Sequence, residues 1–178
     1  MRLFIAFDVP DDTKEYMAKV QGIIGNNLAE IRWVKKEQVH LTLKFLGEVQ
    51  PDIAAKIREQ LGKIRFDPFV VYLGSIGVFP SEDYTRVVRA RLEPEYKVIE
   101  LQRSIDEKLR ELFKKEKDFR AHITLGRVKY VENKEQFFSK LKSIKAEKKS
   151  FRVDSFKLMK STLTWQGPVY EVVEEFGL

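Results

Sequence analysis

The chain has 178 residues and two histidines, and each histidine is followed two places later by a threonine: His40 by Thr42 and His122 by Thr124. The tetrapeptides His40-Leu41-Thr42-Leu43 and His122-Ile123-Thr124-Leu125 alternate polar and apolar side chains, the pattern of a strand with one face in a core. On such strands His40 and Thr42 project together, as do His122 and Thr124, while the leucines and Ile123 point inward. Six of the residues are threonine, so this spacing after both histidines has a chance of roughly one in a thousand. A lone His-x-Thr is ordinarily a hydrogen-bonded surface pair; it is the doubling that suggests chemistry. Imidazole has an ordinary pKa near 6.5, so at neutral pH one ring can accept a proton while the other donates one. Displacement at phosphorus needs that combination, a base for the attacking oxygen and an acid for the leaving oxygen. Threonine hydroxyls can donate to the non-bridging phosphate oxygens. Strict alternation also puts Lys44 on the face of His40 and Thr42, and Phe45 in the core.

The two tetrapeptides are 82 residues apart, and their flanks repeat in the same order, Phe69 and Phe151 again 82 apart. A strand-like run (3–9) and a helix-like run (11–25) precede the first; 85–92 and 95–115 precede the second. After the first come a helical stretch (51–64) and a strand-rich one (69–79); after the second come 134–144 and 151–162. A last strand, 169–176, follows the turn signal Gly167-Pro168. The helices rest on period, as with Ile53, Ile57, Leu61 and Ile64 on one face, and Pro51 suits a helix start because its missing N–H is not needed there. The expected fold class is α+β: a single bilobal domain over 1–178, with an internal repeat of roughly 1–84 and 85–178. Its two pseudo-symmetric lobes are antiparallel sheets with outer helices, and the motif strands face each other across a cleft.

Composition narrows the function classes. There is no cysteine, which excludes disulfide scaffolds, thiolate metal sites and cysteine nucleophiles. Neither a Gly-x-Ser-x-Gly elbow nor a phosphate-binding Gly-x-x-x-x-Gly-Lys loop occurs, and no ligand cluster suggests a metal, so no cofactor is expected. The net charge of +6 modestly favours a polyanionic partner. No apolar run approaches the roughly 20 residues of a membrane span, and none suits an export signal, so a soluble cytoplasmic protein is expected. Lysine and glutamate far outnumber asparagine and glutamine, a bias of heat-adapted proteins.

The chain resembles the two-histidine phosphoesterase superfamily, defined by paired His-x-Thr-x motifs, and within it the RNA 2′,3′-cyclic phosphodiesterase (2′-5′ RNA ligase) family. The matching stretches are Arg2-Leu3-Phe4-Ile5-Ala6-Phe7, Arg32-Trp33-Val34, His40 through the Phe45-Leu46-Gly47 that follows, His122-Ile123-Thr124-Leu125-Gly126-Arg127, and the tail Ser161-x-Leu163 with Gly167-Pro168-x-Tyr170. Ala121 and Gly126 stand where family members often have Pro and Ala. The resemblance implies a metal-independent hydrolase of RNA ends carrying 2′,3′-cyclic phosphates, leaving 2′-phosphates, with 2′-5′ ligation to 5′-hydroxyl ends as a further activity. It implies that His40 and His122 are catalytic and that Thr42, Thr124 and Arg127 hold the phosphate. Alternation would turn Arg127 to the core, unless Gly126 hosts a bulge that re-aims it. A monomer without membrane contact is expected. Two alternatives stay open: a phosphodiesterase for a small cyclic nucleotide, and a non-catalytic RNA- or nucleotide-binding module. Among secondary candidates, Arg32 and Arg120 precede the motifs and could meet RNA phosphates, although isolated arginines are more often surface charges. The lysines of 140–149 read as a solvated helix face, and Trp33 and Trp165 as core or cleft wall.

Overall fold

Alternating apolar residues build nine strands, which the computed structural model, describing residues 1–177, arranges in two antiparallel sheets. The first sheet has the order β3-β1-β8-β9, formed by β1 (Arg2–Asp8), β3 (His40–Glu48), β8 (Ser155–Thr164) and β9 (Gly167–Gly177). The second has the order β2-β6-β5-β4-β7, formed by β2 (Ala29–Trp33), β4 (Phe69–Pro80), β5 (Thr85–Glu93), β6 (His122–Val131) and β7 (Ser150–Val153). The helices are α1 (Asp11–Ile24), α2 (Pro51–Leu61), α3 (Glu95–Lys108) and α4 (Lys134–Ser143). Pro51 opens α2, and the Asn133 side chain caps α4 by accepting from the Gln136 amide at 3.0 Å. Each helix turns an apolar stripe inward: Tyr16, Met17, Val20 and Ile24 on α1, for example, and Phe137, Phe138 and Leu141 on α4. One continuous core joins the inner faces of both sheets, through Ile5, Phe7 and Leu41 of the first and Ala90, Ile123 and Leu125 of the second.

The bilobal α+β reading holds, but the sequence halves are not the lobes. The strand-rich segment 151–162 divides at Asp154 between the two sheets, so that β7 pairs with β4 while β8 pairs with β1. In consequence the first sheet joins β1 and β3 to β8, and the second joins β5 and β6 to β4. Each sheet thus draws strands from both halves of the chain. Helix α3 is also shorter than its period suggests. Beyond Leu109 the chain folds back to place the Lys114 carbonyl on Lys44 (2.7 Å) and the Glu116 amide on Asp106 (2.9 Å).

The same bulge interrupts both motif strands. In β1–β3, Ile5 pairs with Lys44 but Ala6 with Thr42; in β5–β6, Val88 pairs with Gly126 but Arg89 with Thr124. Leu43 and Lys44 therefore both turn inward, as do Leu125 and Gly126, and the next residues, Phe45 and Arg127, turn out. Two expectations fail for this reason. Lys44 leaves the face of His40 and Thr42, is buried at 3% exposure, and binds Asp106 Oδ1 at 2.6 Å. Phe45, expected in the core, is 66% exposed. Gly126 is the residue its bulge position requires, since a Cβ there would lie 2.6 Å from Ile31 Cγ2 and 2.7 Å from Trp33 Cε3.

Candidate active site

His40 opens β3 and His122 opens β6, the strands through which the two sheets pack against each other. Each ring is held in the same way. His40 Nδ1 lies 2.7 Å from the Gln38 carbonyl and His122 Nδ1 lies 2.7 Å from the Arg120 carbonyl. A carbonyl only accepts, so each Nδ1 carries a proton and donates it. That fixes the tautomer and leaves Nε2 of each neutral ring as a lone pair for chemistry. On His40, Nε2 accepts from the Thr42 hydroxyl at 2.9 Å.

Aromatic rings wall both imidazoles. Phe4 lies 5.1 Å from the His40 ring and Tyr170 meets it edge-on at 5.3 Å, while Phe79 stacks on His122 at 6.1 Å with an 11° interplanar angle. Burial pushes the pKa of both histidines below the ordinary 6.5, because a low-dielectric wall disfavours the charged ring. The hydrogen bonds to Gln38 and Arg120 oppose that shift. Nearby charges oppose one another at each ring: the Asp8 carboxylate, paired with His40 across β1–β3, favours the protonated ring and Lys14 the neutral one, while at His122 the Arg89 guanidinium favours the neutral ring and Glu95 the protonated one.

The bulge at Leu125–Gly126 turns Arg127 away from the core. Its charge reaches Tyr170 of the other sheet, whose phenol burial pushes up and the guanidiniums of Arg127 and Arg2 pull back down. Tyr170 also touches Phe4 and His40, so it links the first motif to the arginine of the second. His40, Thr42 and Phe45 thus lie along one face of the first sheet, and His122, Thr124 and Arg127 along one face of the second. Lys44, which alternation placed with them, lies on the opposite side.

Several neighbours of the histidines escaped sequence reasoning. Phe4 and Tyr170 stood within matched stretches without a role, and Phe79 and Arg89 stood among strand residues. The signal for Arg89 was its place on the polar side of an alternating strand, which becomes informative once β5 is known to pair with β6. Arg32 is not isolated, because it lies directly across from Arg127 in β2–β6. Trp33 packs against the core, but Trp165 is 91% exposed at the β8–β9 turn and is neither core nor wall. The lysine run is not one helix face either. Its first part belongs to α4, where Lys140 binds the Ile24 carbonyl, and its remainder is loop. Among the described residues no group of His, Asp or Glu side chains is arranged to hold a metal ion, and no helix is long and apolar enough to cross a membrane.

Comparison with known proteins places this arrangement among relatives. The family model described as LigT like Phosphoesterase matches residues 7–88 and 92–170. The chain is 39% identical to the RNA 2′,3′-cyclic phosphodiesterase of Methanocaldococcus jannaschii, covering 99% of this chain and 100% of that one. It is 37% identical to the protein of the same name from Archaeoglobus fulgidus, covering 99% of each. Among solved structures it superposes on a Thermus thermophilus protein with a TM-score of 0.80, at 28% identity over 100% of this chain and 98% of that one. It superposes on Escherichia coli LigT complexed with 3′-AMP with a TM-score of 0.79, at 25% identity over 99% and 97%.

Proposed function

Since the chain belongs to the LigT-like phosphoesterase family, we propose that it opens the 2′,3′-cyclic phosphate ends of RNA to 2′-phosphates. The observation that carries this reading is the matched holding of the two imidazoles, each with Nδ1 committed to a backbone carbonyl and Nε2 left as the basic nitrogen, which on His40 faces the Thr42 hydroxyl. The names of the relatives from M. jannaschii and A. fulgidus support the substrate, and the 3′-AMP held by E. coli LigT supports a nucleotide in the cleft.

The proposed reaction is an in-line displacement. His122, as the neutral ring, takes a proton from water as the oxygen attacks phosphorus. His40, as the protonated ring, gives its Nε2 proton to O3′ as the P–O3′ bond breaks. The products are a 2′-phosphate and a 3′-hydroxyl. Thr42, Thr124 and Arg127 hold the non-bridging oxygens through charge-assisted hydrogen bonds. Thr42 would turn its hydroxyl from His40 Nε2 to the phosphate once that nitrogen is protonated. With an RNA 5′-hydroxyl in place of water, the same displacement forms a 2′-5′ bond. Exposed Phe45, beside Phe4 at 6.3 Å, offers a ring on which the terminal base can stack.

An oligonucleotide ending in a 2′,3′-cyclic phosphate should be hydrolysed in the presence of EDTA, because two imidazoles supply both proton transfers. Loss of turnover in EDTA, restored by one divalent ion, or binding without turnover, contradicts the proposal. The pH dependence follows from the direction of the two shifts. In the free protein both imidazoles titrate below 6.5, so the singly protonated form, and with it the bell of kcat/KM, peaks below about pH 6.5. Bound phosphate places a negative charge between the rings and raises both values, so the kcat bell should lie at higher pH. A kcat bell at or below the kcat/KM bell contradicts this assignment.

A further inference from the structure

Beside His122 the second sheet gathers three arginines that the reacting phosphate does not need. Arg89 pairs with Thr124 and Arg91 with His122 across β5–β6, so both side chains share the face of the motif. Arg120, two residues before His122, lies within range of the Arg89 charge, and the two repel. One carboxylate, Glu95, is shared among them: Oε1 accepts the Ala121 amide at 3.1 Å, Oε2 meets Arg91 at a loose 3.9 Å, and its charge also acts on Arg89. Half-buried Arg89 donates Nε to the Val78 carbonyl at 3.3 Å and, among the described residues, has no carboxylate within ion-pair distance. Crowding three guanidiniums around one carboxylate costs folding energy through like-charge repulsion. An anion seated among them would remove that cost.

We propose that Arg89, with Arg91 and Arg120, forms a second phosphate subsite that binds the internucleotide phosphodiester immediately upstream of the cyclic end. The proposal rests on the functional reading above and names what distinguishes an RNA end from a free cyclic mononucleotide. The reacting phosphorus must lie between His40 of β3 and His122 of β6. Arg89 sits one strand further out, a displacement of about 4.8 Å, where the next phosphate of the chain passes. A planar guanidinium suits a phosphodiester, having two parallel donors for its two charged oxygens.

The test compares adenosine 2′,3′-cyclic phosphate with the dinucleotide ApA ending in a 2′,3′-cyclic phosphate, using the whole chain and Arg89→Gln. Removing Arg89 also frees His122 from a neighbouring cation, but that effect acts on both substrates and cancels in their ratio. The kcat/KM preference for the dinucleotide should fall about 10-fold, and the salt slope of the dinucleotide reaction should flatten by roughly 0.7, one fewer counterion released. Arg89→Lys, which keeps the charge but not the fork, should restore the slope and only part of the preference. An unchanged ratio, with or without an equal loss on both substrates, would overturn the subsite. A parallel measurement of Kd uses adenosine 2′-monophosphate and ApA ending in a 2′-phosphate. If the wild-type chain hydrolyses neither cyclic substrate yet Arg89→Gln selectively weakens the dinucleotide, the functional reading fails and the subsite stands.

Discussion

Replacing His40 or His122 by alanine is expected to lower kcat about 10²–10⁴-fold, the usual contribution of a positioned acid or base. The expectation comes from the atoms each ring presents. Each Nδ1 is held by a carbonyl at 2.7 Å, so rotation cannot offer a second basic nitrogen, and neither Thr42 nor Thr124 can replace a ring, because a hydroxyl is neither basic enough nor acidic enough near neutral pH. Thr42→Ala and Thr124→Ala should cost less, since each removes one hydrogen bond to an anion, worth roughly 1.5–3 kcal/mol. The double histidine variant should fall well short of the product of the singles, because a displacement that has lost its base gains little from its acid. Near-normal kcat in either single variant contradicts the paired acid–base account.

The second large effect is on stability. Asp106→Asn should destabilise the fold by about 3–5 kcal/mol, the cost of leaving a buried charge without its partner. Lys44 Nζ lies 2.6 Å from Asp106 Oδ1 with both side chains buried, and its other close contact is the neutral carbonyl of Lys114 at 2.7 Å. Glu116, at 4.0 Å and partly exposed, is too distant to replace the lost carboxylate. For a chain of this length the melting temperature should drop by about 10 °C. Adding Lys44→Met to Asp106→Asn should recover much of the loss, because the pair is then neutral and the new amide oxygen can still accept from the Gln102 side chain or the Glu116 backbone, as the carboxylate does now. A single-variant cost under about 1 kcal/mol, or no recovery in the double, contradicts the buried pair. The effect should also reach catalysis, since Asp106 anchors the segment that runs from Lys114 to His122.

How much of this was legible in the sequence depends on where local pattern stops governing the chain. The helices and most strands were read correctly, because period and alternation record which side chains face the core. His40, Thr42, His122 and Thr124 lie before any irregularity in their strands, so parity placed them correctly. Parity failed from two residues past Thr42, at Lys44 and Phe45, because a bulge is a property of two paired strands and their neighbours rather than of one. Gly126 hinted at the bulge in β6 through its missing side chain; Lys44, at the equivalent place in β3, gave no such hint. The shortened α3 and the crossing at Asp154 were hidden for a related reason, both being set by partners far away in the chain. The wall around the histidines was invisible as well, because Phe4, Phe79 and Tyr170 come from three strands that only the fold brings to the rings.

The identity of the phosphate produced tests the central claim most directly. With His40 as the acid on one side of phosphorus and His122 as the base on the other, one ester oxygen is set to leave. An oligonucleotide ending in a 2′,3′-cyclic phosphate should be digested by the chain, and the terminal phosphate read by phosphorus NMR or by separating the nucleoside monophosphates. A 2′-phosphate as the main product is the result this account predicts. A 3′-phosphate as the main product would contradict it, because O2′ would then be the oxygen that departs.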